Sequence, residues 1–410
     1  MHETGEPAGG PLSGVRVVDL TTVVMGPWTT AILAGYGASV IKVEPPEGDI
    51  LRAAGAYRNW GMGSLFLHIH RGKRGIVLDL KRPRARDALL RLCARADVVI
   101  HNIRPAAMRR LALGYDDVAA VNPKIIYVNL VGYAQDGPYA AKPAYDEIIQ
   151  GASGLAASFR LVDGGEPRYV PLLLADRVTG MYAAHAVLAA HFHRERRGTG
   201  QEIEVPMFET MVEFILSDHL GGLAFEPPAG EVGYNRILTP NRRPFRTLDG
   251  YVAILLYTDR HWERFFDVVG EPETHRADPR LHDPMTRRAN YGAAYGIVAD
   301  ILATRSSAAW LDLLGNADIP IMPVNDVADL LDDPHLRATS FFGIEQHPSE
   351  GMLLTLRAPA RWSAWEGSVP SPAPRLGEHT REVLSEAGLD AGEIVDLLDE
   401  GAAVAAAPTN

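Results

Sequence analysis

Short apolar runs alternate with amphipathic stretches through the first third of this chain. V-R-V-V-D-L (15–20), S-V-I-K-V-E (39–44), G-I-V-L-D-L (75–80), D-V-V-I-H-N-I (97–103) and K-I-I-Y-V-N-L-V (124–131) each read as a strand. Helical patterns lie between them. One starts near Pro27 and stops at Gly35 and Gly37; another follows Pro83 and runs to about Ala96. Strands alternating with helices form βαβ units on a mostly parallel sheet. Strands this apolar fit a sheet covered on both faces. The expected class is α/β.

The pattern then changes. A helix is expected over 179–196, ended by Gly198 and Gly200, and I-E-V-P-M-F-E-T-M-V-E-F-I-L (203–216) reads as a strand end and a second helix. Pro227, Pro228 and Gly230 mark a break. After it, P-F-R-T-L-D-G-Y-V-A-I-L-L-Y (244–257) predicts a hairpin about Asp249-Gly250, with helices near 261–269 and 288–314. L-L-T-L-R (353–357) is strand-like, and a Pro-rich stretch and a C-terminal helix follow. These breaks predict a large domain over 1–224, a smaller α+β domain over 225–332 and a C-terminal segment over 333–410; residues 1–12 read as a flexible tail.

Bulk properties narrow the function. At 410 residues the chain is too long for one ordinary core. A net charge of -11 opposes general nucleic-acid binding, although a local anion site remains open. The single cysteine, Cys93, excludes an intramolecular disulfide and reads as a buried structural thiol. The polar N-terminus lacks a signal-peptide pattern, and no apolar run approaches the roughly 20 residues of a membrane span. A cytoplasmic protein with no membrane partner is expected.

Several motifs bear on chemistry. The first βα turn, L-T-T-V-V-M-G-P-W, lacks G-x-G-x-x-G, so a nicotinamide or flavin site is not expected. His68 and His70 would share a face if on a strand, but no third ligand is in view, so no metal site is expected. G-A-S-G (151–154) is not a nucleophile elbow. The run H-R-G-K-R-G-I-V-L-D-L-K (70–81) has two readings: a solvated turn, or an anion site in which Arg71, Lys73 and Arg74 hold phosphates, with Lys81 at the far end of the strand. N-I-R-P-A-A-M-R-R-L (102–111) follows a parallel strand, on the side where doubly wound sheets bind ligands.

The segment V-P-L-L-L-A-D-R-V-T-G-M-Y-A-A-H (170–185) delivers one carboxylate, Asp176, to the start of a helix. With no paired Ser–His or Cys–His motif in the chain, an acid side chain is the candidate nucleophile. Asp176 also reads as a helix N-cap, and so does Asp146 in P-A-Y-D-E-I-I-Q. The helix dipole would favour the ionised carboxylate of Asp176 and lower its pKa.

Together these stretches resemble a known family. P-L-S-G-V-R-V-V-D-L-T with M-G-P (11–27), G-A-S-V-I-K-V-E-P-P-E-G-D (37–49), R-G-K-R-G-I-V-L-D-L-K (71–81), A-D-V-V-I-H-N-I-R-P (96–105), P-A-Y-D-E-I-I-Q-G-A-S-G (143–154), the Asp176 segment, R-G-T-G-Q-E-I-E-V-P-M (197–207) and P-R-L-G-E-H-T-R-E-V-L (374–384) occur in order over nearly the whole chain. The chain resembles the class III CoA-transferases, a group that includes formyl-CoA transferase, carnitine CoA-transferase and α-methylacyl-CoA racemase.

The resemblance implies a Rossmann-like large domain, a smaller domain and an interlocked homodimer. It implies Asp176 as the nucleophile, with Tyr145 and Asp146 beside it. Matched positions imply CoA contacts at Val23, Leu78, Lys81, Asn102, Ile103, Arg110, Leu111 and Met207. No tightly bound cofactor is implied; acyl-CoA is a substrate, with a carboxylic acid as acceptor. Two departures matter. Tyr145 stands where the racemases carry a His; a phenol titrates far above neutral pH, which disfavours the alternative of α-proton exchange. The glycine-rich loop of formyl-CoA transferase is missing; here G-Y-N-R-I-L-T-P-N-R-R-P-F-R-T (233–247) brings Arg236, Arg242 and Arg243, which could meet an acidic acyl group or be solvated. A non-catalytic CoA-binding protein is the third alternative.

Overall fold

A computed structural model of the chain describes residues 9–365, 367 and 370–407. Most of the tail expected over residues 1–12 therefore lies outside the described residues. The described strands, in chain order, are β1 (Arg16–Asp19), β2 (Ser39–Glu44), β3 (Lys73–Leu78), β4 (Val98–His101), β5 (Ile126–Val131), β6 (Gln201–Pro206), β7 (Phe245–Arg246), β8 (Tyr251–Ile254), β9 (Ile321–Pro323), β10 (Phe342–His347), β11 (Gly351–Leu356) and β12 (Ala403–Val404). The five strands expected in the first third are β1 to β5, each displaced by at most a few residues.

The chain forms two compact units. The larger takes in the residues up to 153, 170–213 and those from 340 onward; the smaller takes in 154–169 and 214–339. The larger unit is built on one sheet of order β12-β3-β2-β1-β4-β5-β6. Its β1 to β6 neighbours pair in parallel, and β12 runs antiparallel to β3, so the sheet is mixed. The architecture is thus α/β, as expected. The short β12, in the alanine-rich tail, carries too few apolar positions to be read from sequence. Ile76, Leu78 and Val99 share one core with Leu89, Leu92 and Cys93 and with Val383, Leu384, Ile394 and Leu397 from the last helices. The C-terminal pattern is two helices, Thr380–Glu386 and Ala391–Asp399, broken at Gly388, which has a positive φ of 89°.

The smaller unit carries the antiparallel β7-β8-β9 sheet and packs Trp262, Phe265, Phe266, Tyr295 and Trp310 into its own core. The expected helix over 288–314 is two helices, Tyr291–Leu302 and Ser307–Gly315, because Ser306 caps a fresh start through the Ala309 N–H. The expected turn at Asp249-Gly250 sits in a longer loop, since Arg246 pairs with Tyr251.

Candidate active site

Asp176 is 7% exposed, in the first turn of the helix Leu174–Arg197. Its helix begins earlier than the hydrophobic pattern suggests, so the cap position is Leu173 and Asp176 is not the N-cap. Asp146 is likewise inside its helix, Asp146–Ala152, whose cap is Tyr145. Asp146 acts on the neighbouring helix instead: its Oδ2 accepts the Asp176 backbone N–H at 3.0 Å. Its Oδ1 accepts from Gln150 Nε2 at 2.6 Å. Gln150 also donates to Leu172 O at 3.1 Å, and its Oε1 accepts the Val170 N–H at 2.9 Å. One amide thus ties the helix bearing Asp146 to the segment leading into Asp176. Tyr145 is exposed beside this pair in sequence.

The electrostatics differ from the dipole expectation. Burial, and then the Asp146 carboxylate, push the Asp176 carboxyl up to about 7 from its ordinary 3.8. Desolvation and a like charge outweigh the helix terminus.

The Asp176 helix crosses the helix Met25–Gly35 closely. Gly180 makes this possible: a Cβ there would lie 2.6 Å from Met25 O. Thr29 Oγ1 donates to both Met25 O and Gly180 O at 3.0 Å. The Arg177 guanidinium stacks over the Trp28 ring at 4.2 Å, and Trp28 Nε1 is buried with no hydrogen-bond partner among the described residues.

The strand order reverses between β1 and β4, and doubly wound sheets bind ligands at the carboxyl ends of the strands there. Val23 follows β1; Asn102 and Ile103 follow β4. Asn102 clamps the β1 loop, accepting from Thr22 N at 2.9 Å and donating to Thr22 O at 2.8 Å. Val23 itself is left-handed, with φ 69°, an unusual conformation for a β-branched residue. Lys81 beyond β3 and Met207 beyond β6 lie at the same carboxyl edge. Lys81 and Arg110 are exposed, Ile103 and Leu111 are half-buried, and Leu78 and Met207 are buried.

The cations of the 70–74 run point to separate partners within the chain. Lys73 is fully buried, and its ammonium donates to Thr30 Oγ1 at 2.7 Å, Pro27 O at 2.9 Å and Asp19 Oδ2 at 3.3 Å. Arg71 pairs with Glu345 at 2.9 Å, and Arg74 pairs with Glu382 at 2.9 Å and Glu386 at 2.7 Å. Each cation is taken by different carboxylates, which weighs against the anion reading of Arg71, Lys73 and Arg74. His68 lies on the helix Ser64–Ile69, not a strand. His70 is buried beside Lys73, and burial followed by that charge holds its pKa well below the ordinary value. No group of three or more His, Cys, Asp or Glu side chains among the described residues is placed to hold a metal.

Sequence reasoning missed the polar network beneath the β1 loop. Lys42 donates to Thr21 O and pairs with Asp49 at 2.8 Å. Asp49 Oδ1 accepts the Val23 N–H at 3.3 Å, and Glu44 holds Arg52 at 2.7 Å while accepting the Asp49 N–H at 2.8 Å. Lys42, Glu44 and Asp49 sit within G-A-S-V-I-K-V-E-P-P-E-G-D, where charges inside an apolar strand were the available signal. Gln150 was also missed; its i,i+4 spacing from Asp146 was its signal.

Residues 12–380 match the profile of CoA-transferase family III. A probable fatty acyl-CoA transferase of Mycobacterium tuberculosis is 31% identical over 397 residues, covering 93% of this chain and 99% of that protein. An acetyl-CoA:oxalate CoA-transferase of Acetobacter aceti is 33% identical over 380 residues, covering 92% and 96%. Among solved structures, a CaiB/BaiF family protein from Brucella suis matches with a TM-score of 0.78 at 30% identity, covering 92% of this chain and 99% of that one.

Proposed function

Because the chain belongs to CoA-transferase family III, we propose that it moves coenzyme A from an acyl-CoA thioester to a free carboxylic acid through a covalent intermediate on Asp176. The observation that carries this reading is the buried Asp176 carboxylate, its own backbone N–H engaged by Asp146. A carboxylate held dry in the first turn of a helix, beside a second one, is a candidate functional group.

The Asp176 oxygen attacks the thioester carbonyl. The C–S bond breaks, leaving an acyl-aspartyl anhydride and CoA thiolate. The thiolate attacks the aspartyl carbonyl and expels the donor acid, so that CoA is held as an aspartyl thioester. The acceptor carboxylate attacks this thioester, again giving an anhydride and thiolate. The thiolate then takes the new acyl group and frees Asp176. Dividing the exchange into these steps is nucleophilic catalysis. Val23, Asn102, Ile103, Lys81, Arg110, Leu111, Met207 and Leu78 are proposed CoA contacts, with Lys81 and Arg110 toward the phosphates. Tyr145 and Asp146 are proposed to flank the reacting carboxylate.

Asp176→Ala and Asp176→Asn are expected to abolish CoA exchange, measured by mass spectrometry of new CoA esters from a panel of acyl-CoAs and acids. Hydroxylamine should trap the aspartyl thioester in the parent chain. Undiminished exchange in Asp176→Ala, with no trapped adduct in the parent, would falsify the reading.

A homodimer is part of the proposal. The β10–β11 hairpin turns its apolar face outward: Ile344 faces Leu354 across the strands, and these are 64% and 54% exposed, while Glu345 and His347 point inward and are buried. Two-faced antiparallel sheets ordinarily bury the apolar side, so a second copy of the chain is the proposed cover. Light scattering should give twice the chain mass, and Leu354→Glu should shift it toward the monomer; a monomeric parent chain would refute this.

A further inference from the structure

The smaller unit holds an arginine whose charge no described carboxylate answers. Arg236 is only 8% exposed, in the loop that precedes β7. Its Nε and Nη2 are buried, and neither has a hydrogen-bond partner among the described residues. The guanidinium lies 4.3 Å from the ring centre of Tyr257 and 5.9 Å from that of Tyr291. The hydroxyls of Tyr234 and Tyr295 lie within interaction range of the guanidinium, and that of Tyr295 is buried without a well-formed hydrogen bond. Three buried polar atoms thus sit together without a well-formed hydrogen bond, and the guanidinium has only neutral hydroxyls near it.

The loop carrying Arg236 is held close against the helix Tyr291–Leu302. Asn241 Nδ2 donates to Gly292 O at 2.7 Å, and a Cβ on Gly292 would lie 2.8 Å from Thr239 Oγ1. The segment just after the arginine is therefore held in place rather than trailing in solvent. Tyr257, which covers one face of the guanidinium, is itself 65% exposed.

The two empty atoms are chemically specific. Nε and Nη2 form one edge of the guanidinium, with two parallel N–H vectors spaced for the two oxygens of a carboxylate. The same molecule uses that edge elsewhere: Arg52 grips Glu44 with Nε at 2.8 Å and Nη2 at 2.7 Å. We propose that Arg236 is the anchor of a carboxylate-binding site in the smaller unit, taking a small organic acid on its Nε–Nη2 edge with the Tyr295 hydroxyl as a further partner. Aromatic rings around the guanidinium exclude water and strengthen the bond.

The test uses binding to the full chain with no acyl-CoA present, so it stands apart from the outcome of any CoA-exchange assay. Succinate is titrated into the parent chain, Arg236→Lys and Arg236→Gln by calorimetry. Inorganic phosphate and free CoA serve as competitors, and melting curves verify folding. Succinate should bind the parent and weaken by about tenfold or more in both variants, the loss of one charge-assisted grip. Neither competitor should displace it. Failure of succinate to bind the parent, equal binding in both variants, or displacement by phosphate or CoA would each overturn the assignment. Should both variants unfold, a crystal of the parent chain grown with succinate decides: density for its carboxylate on Arg236 supports the site, and a bare guanidinium rejects it.

Discussion

Asp176→Asn is nearly isosteric and removes one titrating group, so its effect on stability reads the carboxyl's environment directly. In the folded chain burial, then the Asp146 charge, raise the Asp176 pKa from 3.8 to about 7. Between those values the folded chain keeps a proton that the unfolded chain has released, so stability falls as pH rises. The favourable contribution is complete below pH 3.8 and is gone once pH has risen through about 7. At about 1.36 kcal/mol per unit, that span corresponds to about 4 kcal/mol. Little solvent screening reduces it, since Asp176 is 7% exposed. The asparagine variant lacks this loss. Its stability relative to the parent chain should therefore climb by about 4 kcal/mol between pH 4 and 7 and then level off, measured by urea unfolding across that range. A relative stability that stays flat, or falls with pH, would refute the burial-driven shift. The same titration implies that kcat/KM of the parent enzyme rises through pH of about 7, as the proposed nucleophile ionises.

Gln150→Leu removes the donor to Asp146 and strands the Val170 N–H; a loss of about 1–3 kcal/mol and a reduced kcat are expected, from melting curves and CoA exchange, with Gln150→Glu failing to restore either because it sets a carboxylate against Asp146. Lys73→Met leaves Asp19 buried without its nearest ammonium, which should cost about 3–5 kcal/mol in chemical denaturation; a variant as stable as the parent chain would show that Lys42 suffices. Gly180→Ala places a methyl 2.6 Å from a backbone oxygen, so about 1–3 kcal/mol of destabilisation should appear as a lower melting temperature, and an unchanged one would mean that the helix crossing is loose.

The parallel sheet was legible because its strands carry their signal locally. Val17, Val18, Val98, Val99 and Ile100 are buried on both faces, and unbroken apolar runs say so directly. Asp176 was legible for the same reason, as a charge ending an apolar run. What escaped was polar and non-local. Lys73 looked like a phosphate ligand because a sequence does not tell a solvated ammonium from one that reaches Asp19 across 54 positions. The pKa of Asp176 was misjudged in sign because the dipole is a property of its own helix, whereas Asp146 arrives from 30 residues away. The helix starts at Leu173 and Tyr145 were missed since neither carries a capping side chain. Gly180 gave no pattern at all; its importance lies in the distance between two helices.

The antiparallel pairing of Ala403 with Leu78 and of Val404 with Val77 has a consequence for biosynthesis. Among the described strands of this sheet, β12 is made last, and it covers part of the β3 border. Until that strand emerges, the nascent polypeptide presents the border, with its unpaired amides and carbonyls, to any neighbouring extended segment. Closure of this border thereby waits on a strand made long after its partner, and products stalled before it should be captured by chaperones or aggregate more than chains that contain it.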